Sequence, residues 1–449
     1  MGCYLIAPLG KVNRMSNVRS VTANLYRVLA GAALGVFALA LMVFIDGASV
    51  WPIFGQTSDD LVQQFVEKQV PHGAQTTYNL RQPQRDLYSA DAEESGRYGQ
   101  TTLVSPALSH AAQEVALFYR QTRRLAPSKV LSSFLNAGGA PYWGVHQTVL
   151  VTTLQGDGPI IEILNDALAQ FQGRPHVGLG EVIVQEHPRL RIITLLLAKK
   201  TFDFHALKTN LSANQNARIT GRLETGYTTP HILAMSPDGR IESIPVHTEA
   251  GGFEFSIQTS PGLWTVEVIA TGPVGPIPLA QIELVVSTAP PNQIVYTWPR
   301  DEAAIKSPSA YLTKLVNQAR AKAGLKRLER VRTLDWVAWQ HSEDMRTHDY
   351  VGHFSPRTGM LTQRLDRVAY ERATAGENVA LNSTLADAHQ GLMHSLGHRK
   401  NLLSGDYTEL GIGVRRGPIG WYITQVFSGG GPRSRLGQTK HARLSFEAK

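Results

Sequence analysis

The longest hydrophobic run of the chain lies near its N-terminus. Residues 28–45 contain no charged side chain, four basic residues precede them, and Asp46 follows. A run of this length is near the lower limit for a spanning helix and exceeds the usual core of a signal peptide. The basic flank places residues 1–27 in the cytoplasm and the rest of the chain outside. We therefore predict a transmembrane signal anchor at 28–45, with cleavage near Ala48 as the alternative.

The pattern of hydrophobic and polar residues changes twice before the middle of the chain. Residues 50–100 are mixed and polar, which predicts a linker with one helix at 59–68. In residues 101–203, helical spacing of apolar residues is followed by apolar runs at 177–184 and 190–198. This combination favours an α/β domain with a largely buried sheet.

Residues 204–287 have the pattern of a small all-β domain. Short runs rich in β-branched and aromatic residues are separated by turn signals such as Ser236-Pro237-Asp238-Gly239. This spacing predicts an immunoglobulin-like β-sandwich that spaces or presents its neighbours. The proline-containing segment 288–306 is a predicted linker, and residues 431–449 form a predicted basic tail.

Residues 307–430 predict a domain that contains both helices and strands. Ser307-Pro308 is a favourable helix start, and Gly324 is a favourable helix end. Two further helices are predicted through 334–345 and 386–395, and two strands lie within 411–427. The fold class predicted for the whole chain is therefore α+β.

Composition and charge narrow the possible functions. The 449 residues are 43% hydrophobic and 18% charged, which is typical of a globular protein with two to four domains. The net charge of +8 favours contact with anionic surfaces, but the basic residues are scattered, so we expect no nucleic-acid binding. The only cysteine, Cys3, precedes the hydrophobic run, which excludes an internal disulfide and cysteine chemistry outside the membrane.

Candidate chemistry is concentrated in three short motifs of the C-terminal domain. These are His353, Glu377 within Gly376-Glu377-Asn378, and His398 within the segment 397–403. Imidazoles titrate near neutral pH and bind metals, so two histidines with one carboxylate suit metal binding or acid–base chemistry. Spacing alone does not bring them together, and both histidines could instead tie loops to the sheet. The remaining histidines of this domain are predicted to lie on the surface or on helix faces; they are His341, His348, His389 and His394.

Taken in order, these motifs resemble the CAP/SCP superfamily of cysteine-rich secretory proteins, antigen 5 and plant pathogenesis-related proteins. The resemblance is strongest to the disulfide-free bacterial branch and covers roughly 305–430. It rests on Ala323-Gly324-Leu325, on His341-Ser342-Glu343-Asp344-Met345, on Gly352-His353-Phe354, on Ala375-Gly376-Glu377-Asn378-Val379 and on Ser395-Leu396-Gly397-His398-Arg399-Lys400-Asn401.

The resemblance implies an α-β-α sandwich with His353, Glu377 and His398 lining a cleft. Ser395 stands where many eukaryotic members have a second glutamate, and it is included among the predicted binding residues. The candidate cofactor is zinc, with the three cleft residues as its ligands, although two imidazoles and one acid leave the metal short of a closed shell. Glu377 could be a ligand, or it could orient one imidazole as a carboxylate behind the metal does.

The 101–203 domain could be a degenerate copy of the same fold. Gly178-Leu179-Gly180 precedes an apolar strand, as Gly411-Ile412-Gly413 does, but no glutamate or second-histidine motif accompanies it. The alternative is an unrelated α/β unit.

Three functions remain open from the sequence. We favour an exported, membrane-anchored protein of the bacterial cell envelope, periplasmic or at the cell surface, whose cleft binds a lipid, a wall polymer or a metal-bridged ligand. The partner in each case would be an envelope component. The alternatives are a weak metal-assisted hydrolase of envelope peptide or glycan, and a structural or adhesive protein with a vestigial cleft. No GxSxG, HExxH or P-loop motif is present, so enzymatic activity stays undecided.

Overall fold

The computed structural model describes residues 43–45, 48–52, 59–81, 93–95, 102–154, 167–168, 171, 175–205 and 207–429. These residues divide into two compact units. One unit contains the chain up to residue 200 together with 291–298, and the other contains 201–290 together with the chain from 299 onward.

Most of the predicted membrane anchor lies outside the described residues. Only its last three residues, Val43–Ile45, are described, and they form a strand. Among the described residues, no helix is both long and apolar enough to cross a membrane. The predicted cytoplasmic segment 1–27 and basic tail 431–449 also lie outside them.

The N-terminal unit is built on a mixed sheet with the strand order β1-β2-β6-β8-β7-β5-β4. Its strands are β1 (Val43–Ile45), β2 (Ala48–Pro52), β3 (Gln75–Asn79), β4 (Glu93–Ser95), β5 (Thr102–Val104), β6 (His146–Thr152), β7 (Pro175–Ile183) and β8 (Arg191–Lys199). Its helices are α1 (Asp59–Glu67), α2 (Pro106–Thr122) and α3 (Ser128–Gly138).

Both predicted linkers contain structured segments. Strand β3 pairs antiparallel with a strand at Gln293–Thr297, so a segment of 50–100 and a segment of 288–306 form one ribbon. Alternate residues of this ribbon, including Tyr78 and Tyr296, are buried in the same apolar cluster as Phe118. The linker predictions are therefore wrong for these strands, because a two-residue alternation over only five residues is a weak signal beside polar neighbours.

Two sheets form the β-domain. Its strands are β9 (Phe202–Phe204), β10 (Asn210–Leu211), β11 (Asn216–Leu223), β12 (Thr228–Met235), β13 (Ile241–Ile244), β14 (His247–Glu249), β15 (Gly252–Gln258), β16 (Gly262–Gly272) and β17 (Gly275–Val286), and the ribbon strand that follows is β18 (Gln293–Thr297). The strand orders are β10-β17-β16-β12-β13 and β14-β15-β11-β9. The predicted all-β character is present, and the immunoglobulin-like classification stays a prediction.

The C-terminal domain has a sheet with the order β19-β21-β22-β20. Its strands are β19 (Glu329–Arg330), β20 (Thr374–Asn382), β21 (Glu409–Gly417) and β22 (Gly420–Gly429). Its helices are α4 (Pro308–Lys322), α5 (Arg332–His348), α6 (Leu361–Arg367), α7 (Leu385–His394) and α8 (Leu396–Leu402).

Helices cover both faces of this sheet. On one face, α4, α7 and α8 contribute Leu312, Leu392 and Leu402 to a cluster with sheet residues. On the other face, α5 and α6 contribute Leu334 and Leu365 to a second cluster. The predicted α-β-α sandwich is therefore present in this domain.

The N-terminal unit repeats part of this connectivity. The sheet order β5-β7-β8-β6 corresponds to β19-β21-β22-β20, with α2 and α5 each following the first strand. In both cases the first pair of neighbouring strands is parallel and the other pairs are antiparallel.

Equivalent contacts join helix and sheet in the two units. The backbone N–H of Leu179, between two glycines of β7, donates to the Ser109 hydroxyl of α2 at 3.2 Å. The N–H of Ile412, between two glycines of β21, donates to Asp335 Oδ1 of α5 at 2.8 Å. These correspondences support the predicted degenerate copy over an unrelated α/β unit.

Candidate functional site

The structure brings His353 and Glu377 into direct contact. His353 lies in the loop after α5, and Glu377 lies on the edge strand β20 with its side chain 4% exposed. His353 Nδ1 is 3.0 Å from Glu377 Oε1. An ionised carboxylate only accepts hydrogen bonds, so Nδ1 of His353 is the donor in this contact.

Arg364 of α6 holds the same carboxylate from the other side. Its Nη2 donates to Oε1 of Glu377 at 2.9 Å and to Oε2 at 2.7 Å, and it also donates to the carbonyl of His353 at 3.2 Å. Burial by itself would raise the pKa of Glu377, but the Arg364 charge and the His353 hydrogen bond lower it to about 2. Glu377 is therefore ionised at neutral pH and orients His353.

His398 completes the predicted group. It lies on the short helix α8, and its ring centroid is 6.1 Å from that of His353, with an angle of 34° between the rings. Burial, with a smaller contribution from the neighbouring His353, lowers the pKa of His398 to about 3. At neutral pH this imidazole is uncharged and can donate one hydrogen bond and accept another.

Two asparagines fix α8 against β20. Asn401 donates to the carbonyl of Glu377 at 3.1 Å and to Asn378 Oδ1 at 3.0 Å. Asn378 donates in turn to the carbonyl of His398 at 3.1 Å. The Gly-Glu-Asn and Gly-His-Arg-Lys-Asn motifs therefore place the two site residues through their asparagines.

The donor set does not fit a closed zinc site. Both carboxylate oxygens of Glu377 accept from Arg364, which leaves the two imidazoles of His353 and His398 as ligands. In the part of the chain that the structure describes, no group of three or more His, Cys, Asp or Glu side chains is placed to hold a metal ion. Of the two roles open to Glu377, the geometry favours orientation of the imidazole. Zinc binding stays a prediction.

The β-domain contacts the loop that carries His353. The Val274 carbonyl, at the turn between β16 and β17, accepts from the N–H of His353 at 2.9 Å and from that of Phe354 at 3.0 Å. Gly352 is packed so closely on Val274 that a Cβ would overlap it. The turn therefore determines the path of this loop, and the His353 side chain is only 16% exposed.

A second β-domain residue, Glu267, holds the helix that carries His398. Glu267 is fully buried on β16, and its carboxylate accepts from the backbone N–H of Leu396 at 2.8 Å and of Gly397 at 3.1 Å. The buried Ser395 hydroxyl donates to it at 3.1 Å. Ser395 is thus bonded to Glu267 beside the site, and its predicted binding role is not supported by any contact with the histidine pair.

Two other histidines of this domain lie in its interior. His341 is fully buried and its Nε2 lies 2.8 Å from the Gly352 carbonyl, and His389 is buried on α7. Burial lowers the pKa of each to about 4. Both lie on helix faces, which is one of the two predicted positions, but neither lies on the surface, because both side chains are buried within the domain. His348 is exposed, as predicted.

Sequence reasoning missed Arg364, Glu267 and Val274. The sequence contained a signal for the helix that carries Arg364, because Leu361 and Leu365 have the spacing of one helix face. Glu267 lies between Val266 and Val268 on a strand, so side-chain alternation places it on the face opposite these apolar residues. A strand face that carries a charged residue is usually exposed to solvent. Its burial depends on a second domain.

The N-terminal unit lacks the site carboxylate. Strand pairing shows which residue takes the position of Glu377. Glu377 is opposite Val426, which is opposite Gly411 on the next strand. In the N-terminal unit the corresponding partners are Gln147, Leu196 and Gly178, so Gln147 takes the position of Glu377. Gln147 donates to the Ala126 carbonyl at 2.6 Å. A neutral amide therefore takes the position of the ionised carboxylate.

Comparisons with known proteins match the C-terminal domain. Residues 313–427 match the model of the cysteine-rich secretory protein family, CAP. An uncharacterized membrane protein of Bacillus subtilis, YlbC, is 43% identical over 114 residues, which are 25% of this chain and 32% of that protein. A second uncharacterized protein of Bacillus subtilis, YkwD, is 39% identical over 132 residues, which are 28% of this chain and 50% of that protein. The chain thus spans between a third and a half of the length of these relatives.

Two solved structures are also similar. An extracellular SCP-domain protein of Bacillus anthracis is 20% identical, covers 51% of this chain and 81% of its own, and has a TM-score of 0.26. A cysteine-rich secretory protein of Staphylococcus aureus is 13% identical, covers 60% of this chain and 92% of its own, and has a TM-score of 0.24. Scores this low carry no weight for the chain as a whole. With the family match and the sandwich fold together, residues 313–427 are a CAP domain of the cysteine-rich secretory protein family, related to those of bacterial proteins.

Proposed function

We propose that the chain is an exported protein of the bacterial envelope whose CAP domain binds an envelope ligand at His353 and His398. The observation that carries this proposal is the bonding of Glu377 to both Arg364 and His353. The carboxylate is neutralised by an arginine and has no free oxygen for a general-base role. The site therefore offers two imidazoles as hydrogen-bonding groups, which suits binding of a lipid head group or wall polymer.

The similarity to a relative named as a membrane protein supports an envelope location. The uncharged, arginine-flanked run at 28–45 supports the same location through a signal anchor. Neither observation identifies the ligand.

One contact favours hydrolysis without a metal, in place of the metal-assisted hydrolase expected from the sequence. With Nδ1 bonded to Glu377, Nε2 of His353 is the nitrogen that would act as a general base, and an imidazole oriented by a carboxylate is the usual form of such a base. A metal-free hydrolysis of an envelope peptide or glycan would use this nitrogen to accept a proton from water. The structural alternative, with a vestigial cleft, needs no role for either histidine.

Binding can be tested with the full-length chain in detergent and with two probes, anionic phospholipid vesicles and purified wall fragments. The variant His353→Ala/His398→Ala should lose sedimentation with one of these probes. His389→Ala is the matched control, because it removes a buried histidine of the same domain outside the pair.

Release of soluble fragments by the wild type, lost in the double variant, would instead support hydrolysis. Equal binding and equal release of fragments by the wild type, the double variant and the control would refute a role of the pair in either activity. Metal content of wild type and double variant, measured in the same preparations, tests zinc separately.

A further inference from the structure

A pocket of about 260 Å³ lies in the CAP domain near the starts of α4 and α5. Its lining includes Arg330, Arg332, Asp335, Trp336, Trp339 and Ile412. Pockets that hold drug-sized molecules usually measure about 300–1,000 Å³, so this one accommodates a single ring or two.

Two indoles form one wall of this pocket. Trp336 and Trp339 are half-buried, and their rings stack with centroids 5.1 Å apart and an angle of 9°. The guanidinium of Arg415 lies over the Trp339 ring at 4.2 Å. Arg415 and the two indoles thus form one ordered stack, which presents an aromatic wall to the pocket.

The pocket is electropositive. Arg330 is paired with Asp335 at 2.9 Å, and Asp335 also accepts from a backbone N–H, so its charge is compensated. Arg332 is exposed and makes no ion pair with any described residue. The first turns of α4 and α5 add their positive ends. The complementary ligand carries a negative charge.

The fold does not require these indoles. Since Ser109 corresponds to Asp335, the residues of α2 that correspond to Trp336 and Trp339 are His110 and Gln113. The Gln113 side chain hydrogen-bonds to the backbone of Glu181 on β7, so a polar side chain joins helix and sheet at this position. Two half-exposed indoles in the CAP domain therefore call for a reason other than packing.

This pocket is separate from the histidine pair. Its sheet residues belong to β19 and β21, whereas Glu377 lies on β20 at the opposite edge of the same sheet. A ligand bound here would not touch the residues of the proposed function.

We propose that this pocket is a second binding site, for an acidic sugar unit of a polysaccharide. The C–H face of a pyranose ring packs against an indole, and Arg332 pairs with the carboxylate of the sugar. This assignment does not depend on the histidine pair.

Calorimetry with the full-length chain in detergent tests this site. The probes are tetragalacturonic acid and its methyl ester, which have the same rings and differ in charge. The acid should bind. The ester should bind with about tenfold lower affinity, because it lacks the charge-assisted hydrogen bond between the sugar carboxylate and Arg332. The variant Arg332→Glu, on the exposed surface, should reduce binding of the acid and leave binding of the ester unchanged.

The variant Trp336→His/Trp339→Gln introduces the side chains of α2 and should lose binding of both probes. Trp421→His is its control, because Trp421 is also half-buried and lies 5.0 Å from an arginine, Arg416, but does not line the pocket. Equal affinity for acid and ester, unchanged binding by the double tryptophan variant, or binding of a proline-rich peptide but of neither glycan would overturn the proposal.

Discussion

Replacing Glu267 with glutamine should change how the stability of the chain depends on pH. Glu267 is fully buried between the β-domain and α8, where burial raises its pKa to about 7 although its hydrogen-bond donors act in the opposite direction. Because the folded pKa lies above the unfolded value of 4.5, the folded chain keeps a proton that the unfolded chain loses between pH 4.5 and 7.

The magnitude follows from the size of this pKa shift. One pKa unit corresponds to about 1.4 kcal/mol, so the full window corresponds to roughly 3 kcal/mol. The stabilisation is present below pH 4.5 and is lost as the pH rises through 7. Glu267→Gln has no proton to lose, so its free energy of unfolding should fall less over this range than that of the wild type.

Urea unfolding followed by tryptophan fluorescence at pH 5, 6, 7 and 8 measures this difference. The stability of Glu267→Gln relative to wild type should rise by up to roughly 3 kcal/mol from pH 5 to pH 8. Glu254→Gln, an exposed carboxylate of the same domain paired with Arg218, should follow the wild type over these pH values. Parallel curves for Glu267→Gln and wild type would refute the reasoning.

Three other predictions concern the CAP domain. Arg364→Leu should lower the free energy of unfolding by about 3–5 kcal/mol, because it leaves the buried Glu377 without its counter-charge, and adding Glu377→Gln should restore most of the loss in urea unfolding. Gly413→Ala should lower the melting temperature, since its Cβ would overlap the backbone of α5 and overpacking costs about 1–3 kcal/mol or more, whereas Gly405→Ala, which faces open space, should not. His398 should stay neutral in an NMR titration down to about pH 4. As the pH falls from 6.5 towards 3, His398→Gln should lose less stability than the wild type, because unfolded wild type gains a proton on His398 in this range. A titration of His398 near pH 6.5 would contradict its burial.

The N-terminal unit resembles the CAP domain in its connectivity but not in its site residues. The same sheet order and the same helix–sheet hydrogen bond recur, but Gln147 replaces the site carboxylate. A copy of the fold without the carboxylate is expected to retain packing and to lack the chemistry of the histidine pair. The ligand binding proposed above therefore concerns the C-terminal domain alone.

Local patterns in the sequence were sufficient for the CAP domain. The cap at Ser307-Pro308 and the apolar spacing along α5 predicted helices that the structure contains. The motifs around His353, Glu377 and His398 predicted a group that the structure brings together. The cap and the apolar spacing are encoded within a few neighbouring residues, where capping and periodicity act directly. The convergence of the three site residues was implied by the family resemblance and not by their spacing.

Only the tertiary structure decided the surroundings of that group. Glu267 bonds to Leu396 across 129 positions of the chain, and Val274 bonds to His353 from another domain. Periodicity describes one helix or strand at a time and carries no information about which surfaces meet. The buried state of Glu267 and the pairing of Glu377 with Arg364 follow from packing between distant segments, because burial and charge pairing are properties of the assembled interior and of no single segment.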